Sequence, residues 1–460
     1  MSPWDGARVT VQGLGLFGGG VAAARYAAQR GARVTVTDLR DRETLAPAVA
    51  ELADLDVELV LGEHRAEDFA GADIVIVNPA VPPSNRWIAA ARAAGARLTS
   101  EVALFLDACP CPVFAISGTQ GKSSTTNFLA QLLGADGRRV HLGGNIGRPL
   151  LAELERMNPE DVCALELSSY QLETLPDDWQ RSRESSPILG AALVNVLSDH
   201  LERHGTREAY ARAKLRLAEL LRPGGALLLP AEELPVPFEA PSDLTTWRVP
   251  GPELFVEAGC LWIGDRELGR LADSPFRAPF EVHDQLLAAG LAALSGVEPR
   301  SIASALPGLR GLPHRLDRVG DLDGRPLWDN GVSTTPDSTV SALEALPPGV
   351  VVLLGGQTKD LDLTRLIEVL GARSAIPVVF GAARSSWTTA LGGAGLEVHE
   401  AEGPLEALDL GRSLPGSCLL FSPACASFDA YPNFQARASA FLEHARRGGL
   451  RPEAPRSPDS

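Results

Sequence analysis

The sequence predicts an α/β protein built from three successive segments, each with its own mainly parallel sheet. Three observations point there. Short apolar runs alternate with helix-length stretches along most of the chain, the rhythm of strand–helix–strand units. Two of these runs lead into glycine-bearing turns that open a helix, one at Gly13 and one at Gly118. The length, 460 residues, suits about three domains. The expected division is 1–108, 109–310 and 311–447, with a Pro-, Arg- and Ser-rich tail over 448–460 that is expected to be disordered.

The first segment opens with the strand Arg8–Val11, the turn Gly13-Leu14-Gly15-Leu16-Phe17-Gly18 and an Ala-rich helix to about Arg30. A second strand, Arg33–Thr37, ends at Asp38, and further strands are expected at Val57–Leu61 and Asp73–Val77. Gly-x-Gly-x-x-Gly with an acidic residue at the next strand end fits a dinucleotide fingerprint. NAD is the usual ligand of such a turn. A UDP group would use the same backbone physics, and a packing turn without ligand is the plain alternative. The joint Ala108–Pro112, marked by Pro and Cys, reads as a boundary.

The second segment begins with Pro112–Ile116, Gly118-Thr119-Gln120-Gly121-Lys122-Ser123-Ser124 and a helix from about Ser123 to Leu133. Glycines let backbone N–H groups close around an anion, and the helix N-terminus adds positive potential. Lys122 supplies a charge for the outer phosphates, and Ser123 is placed to ligate Mg²⁺. ATP or GTP binding follows, although Ile116 stands where the general phosphate-loop pattern has its first glycine. Later strands are expected at Val162–Leu167, Ala191–Val196 and Ala226–Leu229. Glu166, at a strand end beside the cradle, is the expected Mg²⁺ partner. His200 closes the next strand and should face the same crevice. Lys214 falls on a helix over Thr206–Leu221, where composition alone favours a solvated lysine. Residues 230–279 read as strands and turns at a sheet edge, followed by a helix over His283–Leu294.

The third segment starts near Gly311-Leu312-Pro313-His314-Arg315. Arg315 has the fork that suits a transferring phosphoryl group. Strands are expected at Val350–Leu354, Ile376–Phe380 and Ser417–Phe421, with helices at Thr339–Leu346, Leu363–Leu370 and Asn433–Arg446. Lys359 follows a Gly-Gly turn where it is able to meet a carboxylate. Ser422–Asp429 places small residues at a strand end.

The formal charge of −16 leaves no global attraction for nucleic acid or anionic membrane. The first residues lack the basic start and apolar core of a signal peptide, and no apolar run approaches the roughly 20 residues of a membrane span. A cytoplasmic protein is expected. Six scattered cysteines fit reduced, mostly buried thiols, and Cys109-Pro110-Cys111 is too close for the usual C-x-x-C metal knuckle.

Taken together, Gly118–Ser123, Gly143-Gly144-Asn145-Ile146-Gly147, Glu166–Glu173, Gly311–Arg315 and Ser422–Ser427 resemble the motifs of the Mur ligases, in the family's order, from Val9 to about Phe441. The last motif and the N-terminal glycine turn point to the D-glutamate-adding member. The resemblance implies a Rossmann-like N-terminal domain that holds UDP, a P-loop ATPase-type central domain, and a Rossmann-like C-terminal domain that holds glutamate. It implies ATP-dependent ligation of D-glutamate to UDP-N-acetylmuramoyl-L-alanine through an acyl phosphate, in peptidoglycan precursor synthesis, by a chain expected to be a monomer.

By the same resemblance, Gly118, Thr119, Gln120, Gly121, Lys122, Ser123 and Ser124 hold the triphosphate. Glu166 holds one Mg²⁺ with Ser123, and His200 a second. Lys214 matches a carbamylated lysine, which replaces a cation with an anion able to ligate Mg²⁺. Gly15, Leu16, Phe17, Asp38 and Arg40 serve the UDP end of the substrate, and Asn145, Ser168 and Gln171 the remainder. Thr334, Lys359, Ser427 and Phe434 form the glutamate pocket. The sequence departs from the family pattern at several recognition positions. Asp329-Asn330 replaces Asn-Asp, so either residue is a candidate for the ATP ribose. Val332 stands where many members have Lys, His283-Asp284 replaces His-Asn, and Asn78-Pro79-Ala80 replaces Ser-Pro-Gly. These departures motivate a ligase that adds L-glutamate or uses another UDP-sugar acceptor. An NAD-dependent oxidoreductase leaves the second cradle without a role, and a nucleotide-gated binding protein has no need of Lys122, Glu166, His200, Lys214 and Arg315 together.

Overall fold

A computed structural model of the chain describes residues 3–175, 183–197, 199–357 and 362–452. It divides into two compact units, Met1–Arg277 with Glu281–Leu309, and Ala278–Phe280 with Arg310–Ser460.

The first unit carries two parallel sheets. Strands β1 (Arg8–Gln12), β2 (Arg33–Asp38), β3 (Val57–Leu61), β4 (Ile74–Val77) and β5 (Arg97–Thr99) run in the order β3-β2-β1-β4-β5. All neighbours are parallel. The chain direction across the sheet reverses between β1 and β4, and the glycine turn follows β1 at that switch point, where α/β sheets bind ligands.

Strands β6 (Val113–Ser117), β7 (Val140–Gly144), β8 (Val162–Glu166), β9 (Ile188–Leu193), β10 (Ala226–Pro230) and β11 (Thr245–Val249) form the second sheet, ordered β11-β10-β9-β6-β8-β7. Every pair is parallel. Because β6 lies between β8 and β9, the phosphate turn emerges with a neighbour on each side. Strands β6, β8, β9 and β10 are buried along almost their whole length, as burial between two layers requires, whereas the edge strand β11 is largely exposed. Val113 and Ala115 of β6 and Cys163 and Leu165 of β8 join a core shared with Val9 and Val11 of the first sheet and Leu14 of its glycine turn. Phe114, Ile116, Val162 and Ala164 face the opposite core, with Phe128 and Leu129 of the helix Lys122–Leu133 and Leu287 and Leu291 of the helix Pro279–Leu294. The period-2 alternation thus splits each strand between two cores.

The expected strand over Ala191–Val196 is corrected to Ile188–Leu193, because Asn195 leaves the ladder to bind the phosphate turn. The helix expected over Thr206–Leu221 is α-helical only over Arg207–Leu215 and tightens to a 3₁₀ turn at Arg216–Leu220. Its start is set by Thr206, whose side chain accepts from the Ala209 N–H at 3.1 Å, a normal N-cap. Residues 230–279 supply β11 at the sheet edge and then a separate antiparallel sheet of β12 (Leu254–Glu257), β13 (Cys260–Ile263) and β14 (Arg266–Arg270).

The second unit has one mixed sheet. It contains β15 (Asp317–Leu322), β16 (Arg325–Asp329), β17 (Val351–Gly355), β18 (Ile376–Phe380), β19 (His399–Glu400), β20 (Leu419–Ala424) and β21 (Arg451–Pro452), in the order β19-β18-β17-β20-β16-β15-β21. Strand β15 is antiparallel to both neighbours. Val352 and Leu354 face one core and Val351 and Leu353 the other, so helices cover both faces. At the start of the tail, Arg451 and Pro452 pair with Asp321 and Gly320; residues 453–460, where disorder is expected, lie outside the described residues.

Candidate active site

The phosphate turn is held from the side by the segment that follows β9. The Asn195 side-chain oxygen accepts from the Thr119 and Gln120 N–H groups at 3.1 and 3.0 Å, and its amide donates to the Gln120 carbonyl at 3.2 Å. The Thr119 hydroxyl accepts from the Leu197 N–H at 3.0 Å and from the Tyr210 hydroxyl at 3.2 Å. Gly121 takes φ 78° as the N-cap of the helix Lys122–Leu133. A Cβ there would stand 2.5 Å from the Asp284 carboxylate, so the position demands glycine both for its left-handed backbone and for space. Lys122 donates to the Thr119 carbonyl at 2.8 Å, folding its charge over the turn. Ser123 is buried in the first helical turn.

Strand β8 delivers Glu166, 1% exposed. One carboxylate oxygen accepts from the Asn145 side-chain amide at 2.8 Å. The other, Oε2, is buried and has no hydrogen-bond partner among the described residues. Such an atom is costly to bury unless something else meets it. Asn145 is fixed because its own N–H donates to the Glu166 carbonyl at 2.9 Å. Ser168 and Gln171 form a capping box that starts the short helix Ser169–Glu173, with the Gln171 oxygen accepting from Ser168 N–H and hydroxyl at 2.9 and 3.1 Å.

Lys214 is not a solvated lysine. It is 1% exposed, donates to the Gly118 carbonyl at 2.6 Å, and lies 4.6 Å from the centroid of the Tyr210 ring. Burial drives its pKa well below the usual 10.5, and the charge on Lys122 pushes the same way, against Asp199 and Glu166. Burial under the phosphate turn thus shifts the Lys214 amine toward its neutral form.

His200 sits at φ 51°, an uncommon backbone state for a residue with a side chain. It caps the helix Leu201–His204. Its Nδ1 lies 3.3 Å from the Tyr170 hydroxyl and 3.4 Å from a Glu202 oxygen, and its Nε2 is 3.5 Å from Asp199. Arg203 follows. Its guanidinium donates to Glu173 at 2.7 Å and to the carbonyls of Ala80, Pro79 and Val81 at 3.0, 3.2 and 3.0 Å. It also stacks 4.8 Å from the Tyr170 ring centroid. One residue therefore ties the first sheet's loop to the helix that presents His200.

At the first glycine turn, buried Asp38 accepts from the Gly15 N–H at 3.1 Å and from the Arg40 N–H at 2.9 Å. Asp38 thus braces the turn itself. Asn78 donates to the Gly13 carbonyl at 3.2 Å, and Leu16 and Phe17 stand exposed at 48% and 86%.

In the second unit, Asp329 and Asn330 are both buried. Asp329 accepts from His314 Nδ1 at 2.6 Å and from the Gly331 N–H at 2.9 Å. The Asp329 carboxylate raises the His314 pKa above 6.5. Asn330 accepts from the Leu316 N–H at 3.2 Å and donates to the Ser422 hydroxyl at 2.9 Å. Arg315 lies between these two anchored residues, His314 and Leu316. Ser427 is buried, Thr334 and Phe434 are half-buried, and Lys359 lies outside the described residues. Asn433 caps the helix that Phe434 begins, accepting from the Ala436 N–H at 2.8 Å.

Residues 116–236 match the Mur ligase middle domain, and residues 7–100 match the MurD-like N-terminal domain of Mur ligases. The UDP-N-acetylmuramoylalanine–D-glutamate ligase of Roseiflexus sp. (strain RS-1) is 34% identical over 463 residues, covering 95% of this chain and 97% of that protein. The chain belongs to the Mur ligases. A second relative of the same name, from Geotalea uraniireducens (strain Rf4), is 32% identical and covers 94% of this chain and 96% of its own. A solved Mur ligase, MurF from Thermotoga maritima in complex with ADP, superposes with a TM-score of 0.57 at 17% identity, covering 96% of this chain and 95% of that one. That likeness concerns the fold.

As a Mur ligase, the chain has side chains at its central sheet that fit a divalent cation. Hard oxygen donors suit Mg²⁺, and Glu166 Oε2 is a buried carboxylate oxygen that nothing in the described chain satisfies. Sequence reasoning missed three positioning residues. Asn195 stands at a strand end beside the cradle, which was its available signal. Arg203 sits three residues after His200 but carries no motif. Arg437 is 1% exposed and donates to the carbonyls of Ala426, Cys425 and Gly355 at 3.2, 3.0 and 3.3 Å, which pins the ends of β17 and β20. A charged residue in the first turn of an amphipathic helix gives no hint of that.

Proposed function

We propose that this Mur ligase joins D-glutamate to UDP-N-acetylmuramoyl-L-alanine with hydrolysis of ATP; its full-length relatives are named UDP-N-acetylmuramoylalanine–D-glutamate ligases. The observation that carries the chemistry is the set of groups gathered at the carboxyl ends of β6, β8 and β9. A cradle with Lys122, a buried carboxylate with one unsatisfied oxygen, and a buried amine below the turn all converge there.

A carboxylate is a poor electrophile, so its oxygen attacks the γ-phosphorus of ATP and ADP leaves. Lys122 and the turn N–H groups offset the charge on the phosphates during that transfer. The acyl phosphate is attacked at carbon by the glutamate amine. The tetrahedral intermediate then expels inorganic phosphate and leaves the amide. Arg315 serves as a charge partner of the transferring phosphoryl. Ser123, Glu166, His200 and carbamylated Lys214 are the side chains that would hold Mg²⁺, which when bound neutralises charge on the phosphates and the reacting carboxylate. The carbamate forms when the neutral Lys214 amine adds to CO₂ and loses a proton.

The UDP end of the substrate is assigned to the first sheet, around Gly15, Leu16, Phe17, Asp38 and Arg40, with Asn145, Ser168 and Gln171 toward the sugar. Glutamate is assigned to Thr334, Lys359, Ser427 and Phe434, and the ATP ribose to Asp329 or Asn330. Three domains, 1–108, 109–310 and 311–447, correspond to these three ligands. A cytoplasmic monomer fits an enzyme whose substrates are small molecules. Among the described residues no helix is long and apolar enough to cross a membrane.

The test is phosphate release from ATP with Mg²⁺ and UDP-N-acetylmuramoyl-L-alanine, adding D-glutamate, L-glutamate or neither. Release that requires D-glutamate and yields the matching amide is the expected result. Release with L-glutamate alone, or with neither, overturns the reading.

A further inference from the structure

Three thiols that the ligase chemistry does not use meet inside the first unit. Cys109 ends the helix Glu101–Ala108, Cys111 precedes β6, and Cys163 lies on β8. Their sulfur atoms are 3.7 Å (Cys109 to Cys111), 4.0 Å (Cys109 to Cys163) and 3.4 Å (Cys111 to Cys163) apart. Cys111 and Cys163 are buried at 2% and 0%, and Cys109 is half-buried. Cys109-Pro110-Cys111 alone does not make a metal knuckle. Folding adds the third sulfur from a strand far along the chain, and that changes the chemistry available.

We propose that Cys109, Cys111 and Cys163 form a three-thiolate site for a thiophilic d¹⁰ cation, Zn²⁺ or Cu⁺. The spacing favours this over a disulfide. Three sulfurs bound at about 2.3 Å to one tetrahedral Zn²⁺ stand about 3.8 Å from each other, and the observed sides of 3.4, 3.7 and 4.0 Å bracket that value. A disulfide needs a single pair at about 2.05 Å and leaves the third thiol beside it without a role. Soft sulfur ligands also select these cations over Mg²⁺, so the site does not compete with the hard oxygen donors at Glu166. Binding releases the thiol protons to solvent and places the metal on one sulfur from each of three backbone positions. Half-buried Cys109 leaves the side from which the ion enters and from which water can complete a fourth position.

The location gives the site a structural consequence. Cys109 and Cys111 flank the joint at which the chain leaves the first sheet's last helix and enters β6, and β6 leads directly to the phosphate turn. Cys163 is three residues before Glu166 on β8, roughly 10 Å along the strand. An ion held here clamps that joint to the strand that carries the buried carboxylate. It does not touch substrate.

The experiment uses the full chain, reduced and metal-free, under anaerobic conditions. Addition of Co²⁺ as a Zn²⁺ surrogate should produce thiolate-to-cobalt charge-transfer absorption that saturates at one equivalent and is bleached by Zn²⁺. Zn²⁺ should also protect Cys109 from alkylation by iodoacetamide while half-buried Cys260 still reacts. Cys163→Ser and Cys111→Ser should abolish the absorption. Because those thiols are buried, Cys109→Ser serves as the variant that folds most readily, with circular dichroism as the check, and it should weaken Co²⁺ binding at least about tenfold. Folded wild type that shows no charge-transfer band with Co²⁺ and takes up no Cu⁺ overturns the proposal. So does a band that survives in folded Cys109→Ser at unchanged affinity.

Discussion

The Lys214 amine donates to the Gly118 carbonyl at 2.6 Å, so the residue that composition would send to solvent lies directly beneath the phosphate turn. The proposed carbamylation would use the lowered pKa that this burial produces. An ordinary lysine is almost wholly protonated at neutral pH, and only its small neutral fraction adds to CO₂. Burial that lowers the pKa enlarges that fraction.

Ligation should therefore depend on CO₂. Enzyme stripped of bicarbonate at mildly acid pH is expected to lose activity and to recover it when bicarbonate returns. A ¹³C-bicarbonate label should give a carbamate carbonyl resonance in wild type and none in Lys214→Ala, whose turnover should fall by roughly 100-fold or more. Full activity without bicarbonate and without the resonance would remove the carbamate from the mechanism.

The same residue sets a pH dependence of stability. Its cationic form is disfavoured in the folded chain, so between its lowered pKa and 10.5 the unfolded chain binds more protons. Stability then rises with pH across that window. Unfolding measured without bicarbonate should show wild type gaining on Lys214→Met as pH climbs toward 10.5, with no further gain above it.

Glu166→Gln keeps the shape and removes the charge at the oxygen that has no hydrogen-bond partner among the described residues. Turnover should drop roughly 100-fold and the Mg²⁺ concentration for half-maximal rate should rise. Asn145→Ala should have the smaller effect of the two, since it removes only the 2.8 Å hydrogen bond that orients the carboxylate. Titration of phosphate release against Mg²⁺ measures both.

Arg203→Ala should loosen the loop of Pro79, Ala80 and Val81 while leaving the phosphate turn intact. The KM for the UDP-sugar substrate should rise about tenfold with little change in that for ATP. Charge-assisted hydrogen bonds at a side chain only 8% exposed imply a stability loss of about 1.5–3 kcal/mol. An equal rise in both KM values would place Arg203 in the nucleotide site instead.

His314 works with the opposite sign to Lys214. Its bond to Asp329 raises its pKa above 6.5, so the stabilisation is complete below 6.5 and is lost as pH rises through the folded value. Imidazole titration by NMR should find a pKa above 6.5 in wild type. His314→Asn should flatten the fall in stability over that interval.

The parallel sheets were legible because their strands are buried on both faces, and runs such as Val162–Leu165 admit few other readings. The phosphate turn was legible because its glycines carry out backbone requirements that no other residue meets. Boundaries were less so. Strand β9 ends at Leu193 because Asn195 turns toward Gln120 and Thr119, a tertiary bond that no local pattern encodes. The burial of Lys214 came from resemblance and not from periodicity, since a lysine on an Arg-rich helix reads as polar until Tyr210 and Gly118 close over it. The meeting of Cys109 and Cys111 with Cys163 depends on β8 pairing with β6, and sequence spacing alone conceals it.

The contact between Gly121 and Asp284 bears on how the protein is made. The turn is translated early, but the helix that walls it with Asp284 follows only after the whole central sheet and the small antiparallel sheet. At a synthesis rate of about 5–20 residues per second, that is a wait of roughly 10–30 s. During that interval a nascent chain can hold β6 in place while its nucleotide cradle lacks one wall. A ribosome stalled before residue 279 should therefore display a chain that is partly folded and still unable to retain ATP.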